Sequence, residues 1–188
     1  VDDDESVLKV LDFSNSISAT AIVMHRYYCL DKDLSFDEAE QLFNQRLQGW
    51  ADGARQRNLS VLVENNGFLW LPTRFNKEYA VTALDHFFPW EIRRFNAFLK
   101  SKDISNVFPV IDIAHATLSI NMLKLWHKFQ EFRGDKRFAN ITMAEEKESQ
   151  SLTIDDFIKE AHSPYLHISD SILFGEYDKY PKNIDIYL

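Results

Sequence analysis

The chain has 188 residues, of which 45% are hydrophobic and 14% are aromatic, and it carries 29 acidic against 21 basic side chains. A chain of this length buries roughly 70% of its unfolded surface, so the fold needs no disulfide or metal to hold it. The aromatic content excludes a disordered chain, and the single Cys29 excludes an internal disulfide and cysteine-rich zinc sites.

The first part of the chain is predicted to be helical. Residues 6–13 are apolar and short, and fit either a helix or a strand. Apolar residues between 16 and 30 recur at spacings of three and four, which predicts a helix. Ser35 and Glu38 form a capping box. It opens an amphipathic helix that is expected to run to about Arg57.

A β-hairpin is predicted near residues 59–71. Residues 59–63 and 68–71 are apolar runs, and Asn66-Gly67 between them is typical of a tight turn.

Prolines and caps mark the later helices. Pro89 suits the first turn of one helix, and Pro109 is predicted to open a long helix that ends at Gly134. Thr142 begins a second capping box, and Thr153 is expected to cap a helix through Ala161.

After Pro164 the residues alternate in polarity, as they do in 184–188. A strand is therefore expected after Pro164, and the tail 184–188 is expected to pair with that strand or with the hairpin. Together these elements predict a mainly α (α+β) fold: a helical domain with one β-hairpin and a small C-terminal β element. The chain is interpreted as a single domain, 1–188, with 145–188 either part of it or a peripheral C-terminal extension.

Charge is unevenly distributed. Residues 1–40 hold ten acids and three bases, residues 41–102 hold five acids and nine bases, and residues 145–188 hold ten acids and four bases. Either the acidic ends pack against the basic middle and neutralise it, or the basic segment stays open to a charged partner.

Candidate catalytic residues do not form a convincing motif. Asp112, His115 and Ser119 share one predicted helix, whereas a catalytic triad needs side chains that converge from different elements. A hydrogen-bonded pair of Asp112 with His115 is the simpler interpretation.

Metal ligands could come from Asp112 with His115, from Asp85 with His86, or from His25. However, neither a Glu-x-x-His nor a His-Glu-x-x-His motif occurs. The sequence therefore predicts no catalytic residue, no metal ligand and no cofactor.

The favoured hypothesis is a non-enzymatic protein–protein interaction module, such as an adaptor, an inhibitor or a chaperone-like subunit of a larger assembly. Aromatic and arginine side chains are favoured interface anchors. The expected partner-binding residues are Trp70, Arg74, Trp90, Arg93 and Arg94.

Two alternatives remain. One is a nucleic-acid-associated protein that uses the basic segment 41–102 for phosphate contacts. The other is an enzyme with an unrecognised site. The lone cysteine and the acidic start without an apolar leader predict a soluble, cytoplasmic protein, and no apolar run is long enough for a membrane span.

Overall fold

Helices and strands alternate through the first seven described elements, and two further helices precede the last strand. A computed structural model of the protein describes residues 4–25, 36–65, 88–130, 133, 138 and 140–168. In chain order the elements are α1 (Asp4–Ser16), β1 (Ala21–His25), α2 (Phe36–Arg55), β2 (Ser60–Glu64), α3 (Pro89–Ser101), β3 (Val107–Asp112), α4 (Ile113–Lys128), α5 (Met143–Ser149), α6 (Ile154–Ala161) and β4 (Leu166–His167).

The four strands form one parallel sheet in the order β1-β2-β3-β4. Each connection between neighbouring strands contains at least one helix, as parallel pairing requires. The predicted mainly helical domain with one β-hairpin is therefore wrong, and the described part of the chain has an α/β architecture.

The strand predicted at 59–63 is present as β2, but its partners differ from those of a hairpin. It pairs in parallel with β1 on one side and with β3 on the other. Short, continuous apolar runs are typical of parallel strands buried on both faces, and the apolar side chains of β2 are buried. The expected second hairpin strand, 68–71, lies outside the described residues.

The predicted start of the long helix at Pro109 is also wrong. Residues Val107–Asp112 form β3, and α4 begins only at Ile113. The main-chain carbonyl oxygen of Asn106 accepts from Val61 in β2, and that of Val110 accepts from Asn65, directly after β2. Because the sides of a strand alternate, Pro109 faces away from β2 and removes no bond from that pairing.

A second correction concerns residues 16–30, which were predicted to be helical. Helix α1 ends at Ser16 and the chain enters β1 at Ala21. The helical spacing there is coincidental, because the β-branched pair Ile22-Val23 favours a strand once β2 is available as a neighbour. Residues 26–35 lie outside the described ranges.

Several helix positions are confirmed. Helix α2 ends close to the predicted Arg57, and Pro89 occupies the first turn of α3. Thr142 and Glu145 form the predicted capping box of α5, in which each accepts a bond from the other's backbone N–H. Thr153 precedes α6, which ends at Ala161 as predicted.

The sheet register separates two faces. Residues that are Cα partners in neighbouring parallel strands point to the same face, and successive residues alternate. One face packs into the hydrophobic core with Ile22, Val61, Val63, Val107 and Ile111. The opposite face carries His25, Glu64, Asp112 and His167 at the carboxyl ends of the four strands.

A short strand, β4, follows Pro164. Strand β4 pairs in parallel with the end of β3, and the tail 184–188 lies outside the described residues. Helix α6 packs against α3 and β3, and Phe157 is completely buried. Across the described ranges, no helix combines the length and apolar character that crossing a membrane requires.

Candidate metal centre

Four polar side chains lie at one edge of the sheet because all its strands run in the same direction. His25 is the Cα partner of Glu64, and Asp112 is the Cα partner of His167. Glu64 is paired with Val110, two residues before Asp112, so all four side chains share one face and one edge. The carboxyl edge of an open parallel sheet is where α/β proteins bind ligands.

His167 is in direct contact with two of these side chains. The Nδ1 of His167 lies 2.6 Å from Oε1 of Glu64 and 3.1 Å from Oδ2 of Asp112. Both carboxylates are acceptors, so Nδ1 carries the hydrogen and donates it to them. One ligand atom from each of the three residues lies within 4.8 Å of the others, which is a spacing that a single metal ion can bridge.

The two carboxylates are buried next to each other. Glu64 is 4% exposed and Asp112 is 1% exposed, whereas the side chain of His167 is 54% exposed. Two negative charges in a site of low dielectric repel each other, and each costs free energy to remove from water. The pair therefore favours a cation between the carboxylates, which protonated His167 or a metal ion can supply.

The cluster shifts the pKa of two histidines in opposite directions. The hydrogen bond to Glu64, assisted by the charges of Glu64 and Asp112, raises the pKa of His167 above its usual value. Burial lowers the pKa of His25, although the Glu64 carboxylate, 3.8 Å from its Nε2, opposes that effect. His25 is accordingly the imidazole that stays neutral more readily.

A pH dependence of stability follows from His167. Its pKa is higher in the folded chain than the usual 6.5, so its contribution is complete below pH 6.5 and is lost as the pH rises through the folded pKa. The quantity to compare is the difference in unfolding free energy between the native protein and His167→Gln, both in the presence of chelator. This difference should decrease as the pH rises from 5.5 to 9. The decrease should be about 1 kcal/mol or less, because the imidazole is half exposed. Urea unfolding between pH 5.5 and 9 measures it. A difference that increases with pH would contradict the assignment.

A fifth polar side chain, His115, lies beside the cluster at the start of α4. Its Nδ1 is 2.6 Å from the main-chain oxygen of Asn65, and its backbone N–H donates to Oδ1 of Asp112. A carbonyl oxygen only accepts, so Nδ1 of His115 carries a hydrogen and donates it. The rings of His25 and His115 are 6.4 Å apart. The predicted pair of Asp112 with His115 is present, but it joins the carboxylate to the backbone.

The donor set suits a particular class of ion. Two carboxylates and one imidazole match divalent first-row metals such as Mn²⁺ and Zn²⁺. Three protein ligands leave coordination positions free for water or substrate, as catalytic metal sites do.

The residues predicted to bind a partner lie elsewhere. Trp90 is 4% exposed and stacks on Phe88 with 4.7 Å between ring centroids, so its ring belongs to the core. Arg93 donates to Glu148 and Glu160, and Arg94 donates to Glu145. Trp70 and Arg74 lie outside the described residues.

These ion pairs bear on the charge distribution along the chain. Within the described residues, the carboxylates that contact Arg93 and Arg94 come from the acidic segment that begins at residue 145. At these two positions the acidic segment neutralises the basic one. The interaction-module hypothesis, the nucleic-acid alternative and the five anchor residues stay predictions.

Glu64 and His167 were missed by the sequence analysis. The usable signal was a polar residue directly after an apolar run, as in Val-Leu-Val-Glu64 and Pro-Val-Ile-Asp112. That signal is informative only once the runs are known to be parallel strands whose ends meet. Asp85 and His86 lie outside the described residues, and Ser119 is buried within α4.

Comparison with known proteins assigns no family. No family model matches the chain, and no curated protein matches it. Among solved structures, the chain is similar to a 3-keto-D-glucoside 4-epimerase from E. coli in its apo form, at 12% sequence identity and a TM-score of 0.46. The match covers 92% of this chain and 65% of the epimerase chain, so this chain spans less than two thirds of that protein.

Proposed function

We propose that the protein is a metal-dependent enzyme that binds one divalent cation through Glu64, Asp112 and His167. The observation that carries the proposal is the convergence of two buried carboxylates and an imidazole at the carboxyl edge of a parallel sheet. A structural role alone would be served more simply by apolar residues, because burying two adjacent carboxylates is costly.

The metal ion would act as a Lewis acid on an oxygen atom of a small polar substrate. Its open coordination positions would admit a carbonyl, hydroxyl or phosphoryl oxygen and stabilise negative charge that develops there. His25 and His115 lie beside the ligands and supply imidazole groups for proton transfer.

Metal titration tests the proposal. The chain, first dialysed against EDTA and then freed of it, is titrated with MnCl2 and with ZnCl2 in a calorimeter at pH 7.5. We expect saturable binding of one ion per chain for at least one of the two metals.

Glu148→Gln is the matched control, because it removes a carboxylate that pairs with Arg93 outside the cluster, and it should bind metal as the native protein does. No saturable binding of either ion up to about 1 mM, corresponding to a binding free energy weaker than about −4 kcal/mol, would contradict the proposal.

A further inference from the structure

Asn65 connects the elements that carry the cluster. It follows Glu64 directly, is completely buried, and lies where β2 ends beside β3. Its backbone N–H donates to the main-chain oxygen of Val110 at 3.2 Å, and so continues the pairing of the two strands by one residue.

The side chain of Asn65 then extends the strand pairing beyond the end of β2. Its Oδ1 accepts from the backbone N–H of Asp112 at 2.6 Å, and its Nδ2 donates to the main-chain oxygen of Asp112 at 3.2 Å. The main-chain oxygen of Asn65 accepts a hydrogen bond from Nδ1 of His115 at 2.6 Å. The carboxamide therefore supplies the bonds to Asp112 that a further strand residue would otherwise make.

This arrangement links both carboxylate-bearing residues, Glu64 and Asp112, to Asn65. Glu64 is covalently adjacent to Asn65, and the main chain of Asp112 is held from both its N–H and its carbonyl oxygen. We infer that Asn65 is a positioning residue whose carboxamide sets the separation of Glu64 and Asp112 for one metal ion. The inference rests on the proposed metal-binding function.

The donor and acceptor requirements make the side chain specific. The carboxamide accepts with one atom and donates with the other, which an ionised carboxylate of the same length cannot do. Alanine loses both bonds to Asp112, whereas an ionised aspartate keeps the acceptor and places an oxygen without a hydrogen against the carbonyl oxygen of Asp112. Outer-shell contacts of this kind orient ligands, and their loss weakens metal affinity by about 10–100-fold.

The chain offers a matched control at the other end of the same strands. Asn106 precedes β3, and its Nδ2 donates to the main-chain oxygens of Ala51 at 2.9 Å and Leu59 at 3.3 Å. Asn106→Ala thus removes an amide clamp between the same two strands at their amino ends, away from the metal ligands.

The experiment compares Mn²⁺ affinity and the Co²⁺ absorption spectrum of the native protein, Asn65→Ala, Asn65→Asp and Asn106→Ala. We expect Asn65→Ala to bind Mn²⁺ about 10–100-fold more weakly and Asn106→Ala to bind as the native protein does. Asn65→Asp should show a changed Co²⁺ spectrum whatever its affinity, because its extra charge attracts cations while the ligand geometry differs.

Each outcome decides the inference. If the native protein binds no metal, the proposed function fails and this inference fails with it. If the native protein binds metal while both Asn65 variants keep its affinity and spectrum, only the role of Asn65 is wrong. Equal losses in Asn65→Ala and Asn106→Ala would indicate general destabilisation and would also overturn it. Should Asn65→Ala fail to fold, the spectrum of Asn65→Asp decides.

Discussion

Replacing Asp112 with asparagine should lower the affinity for divalent metal by at least about 100-fold. Loss of an outer-shell contact lowers metal affinity by about 10–100-fold, and loss of a charged ligand should lower it further. The substitution keeps the shape of the side chain and removes one of the two buried negative charges that favour a cation. Calorimetric titration with Mn²⁺ at pH 7.5 measures the loss.

The fold should tolerate this change. The Oδ1 of Asp112 accepts from the backbone N–H of His115 and caps α4, and asparagine caps helices as well as aspartate does. The unfolding free energy of Asp112→Asn in chelator should therefore change much less than its metal affinity does.

Asp156→Asn is the matched control for this prediction. Asp156 accepts from the backbone N–H of Thr153 at the start of α6 and takes no part in the cluster. It should bind metal like the native protein. Native metal affinity in Asp112→Asn would show that Asp112 is not a ligand.

Replacing Phe157 with alanine should destabilise the protein by about 3–5 kcal/mol, the usual cost of removing a buried phenylalanine ring. Phe157 is completely buried in α6, and its ring centroid lies 6.4 Å from that of Phe88. The same helix packs against α3 and β3, so the ring joins the segment after residue 145 to the core. Urea denaturation measures the loss of unfolding free energy, provided that this free energy falls with urea concentration at the same slope in both proteins.

Ile158 provides the control, because it is the next residue on the same helix and is 39% exposed. Ile158→Ala should cost less than about 1 kcal/mol, since exposed positions contribute little. A cost of less than about 1 kcal/mol for Phe157→Ala, as for Ile158→Ala, would contradict this prediction and would support the interpretation of 145–188 as a peripheral extension of the domain.

The helix positions that the sequence predicted well depend on local interactions. Pro89 begins α3 because its missing N–H costs nothing in a first turn. The reciprocal bonds of Thr142 and Glu145 join residues three positions apart, as do those of Thr153 and Asp156. Such signals can be read from a few neighbouring residues.

Strand partners could not be predicted in the same way. The run 59–63 predicts a strand, which the structure places at Ser60–Glu64, but its length and apolar character fit a hairpin and a parallel sheet equally. Pro109 indicates a helix start, but residues 109–112 belong to the strand Val107–Asp112. Pairing with strands that are far away in sequence decided both outcomes.

By itself, the sequence determined the single-residue chemistry and the local helix signals, because caps and prolines act within a few residues. The tertiary structure alone decided which side chains meet. Glu64 and His167 are separated by 103 positions, and no spacing rule connects them. They meet because parallel pairing brings the carboxyl ends of the strands to one edge, where the register points their side chains to one face.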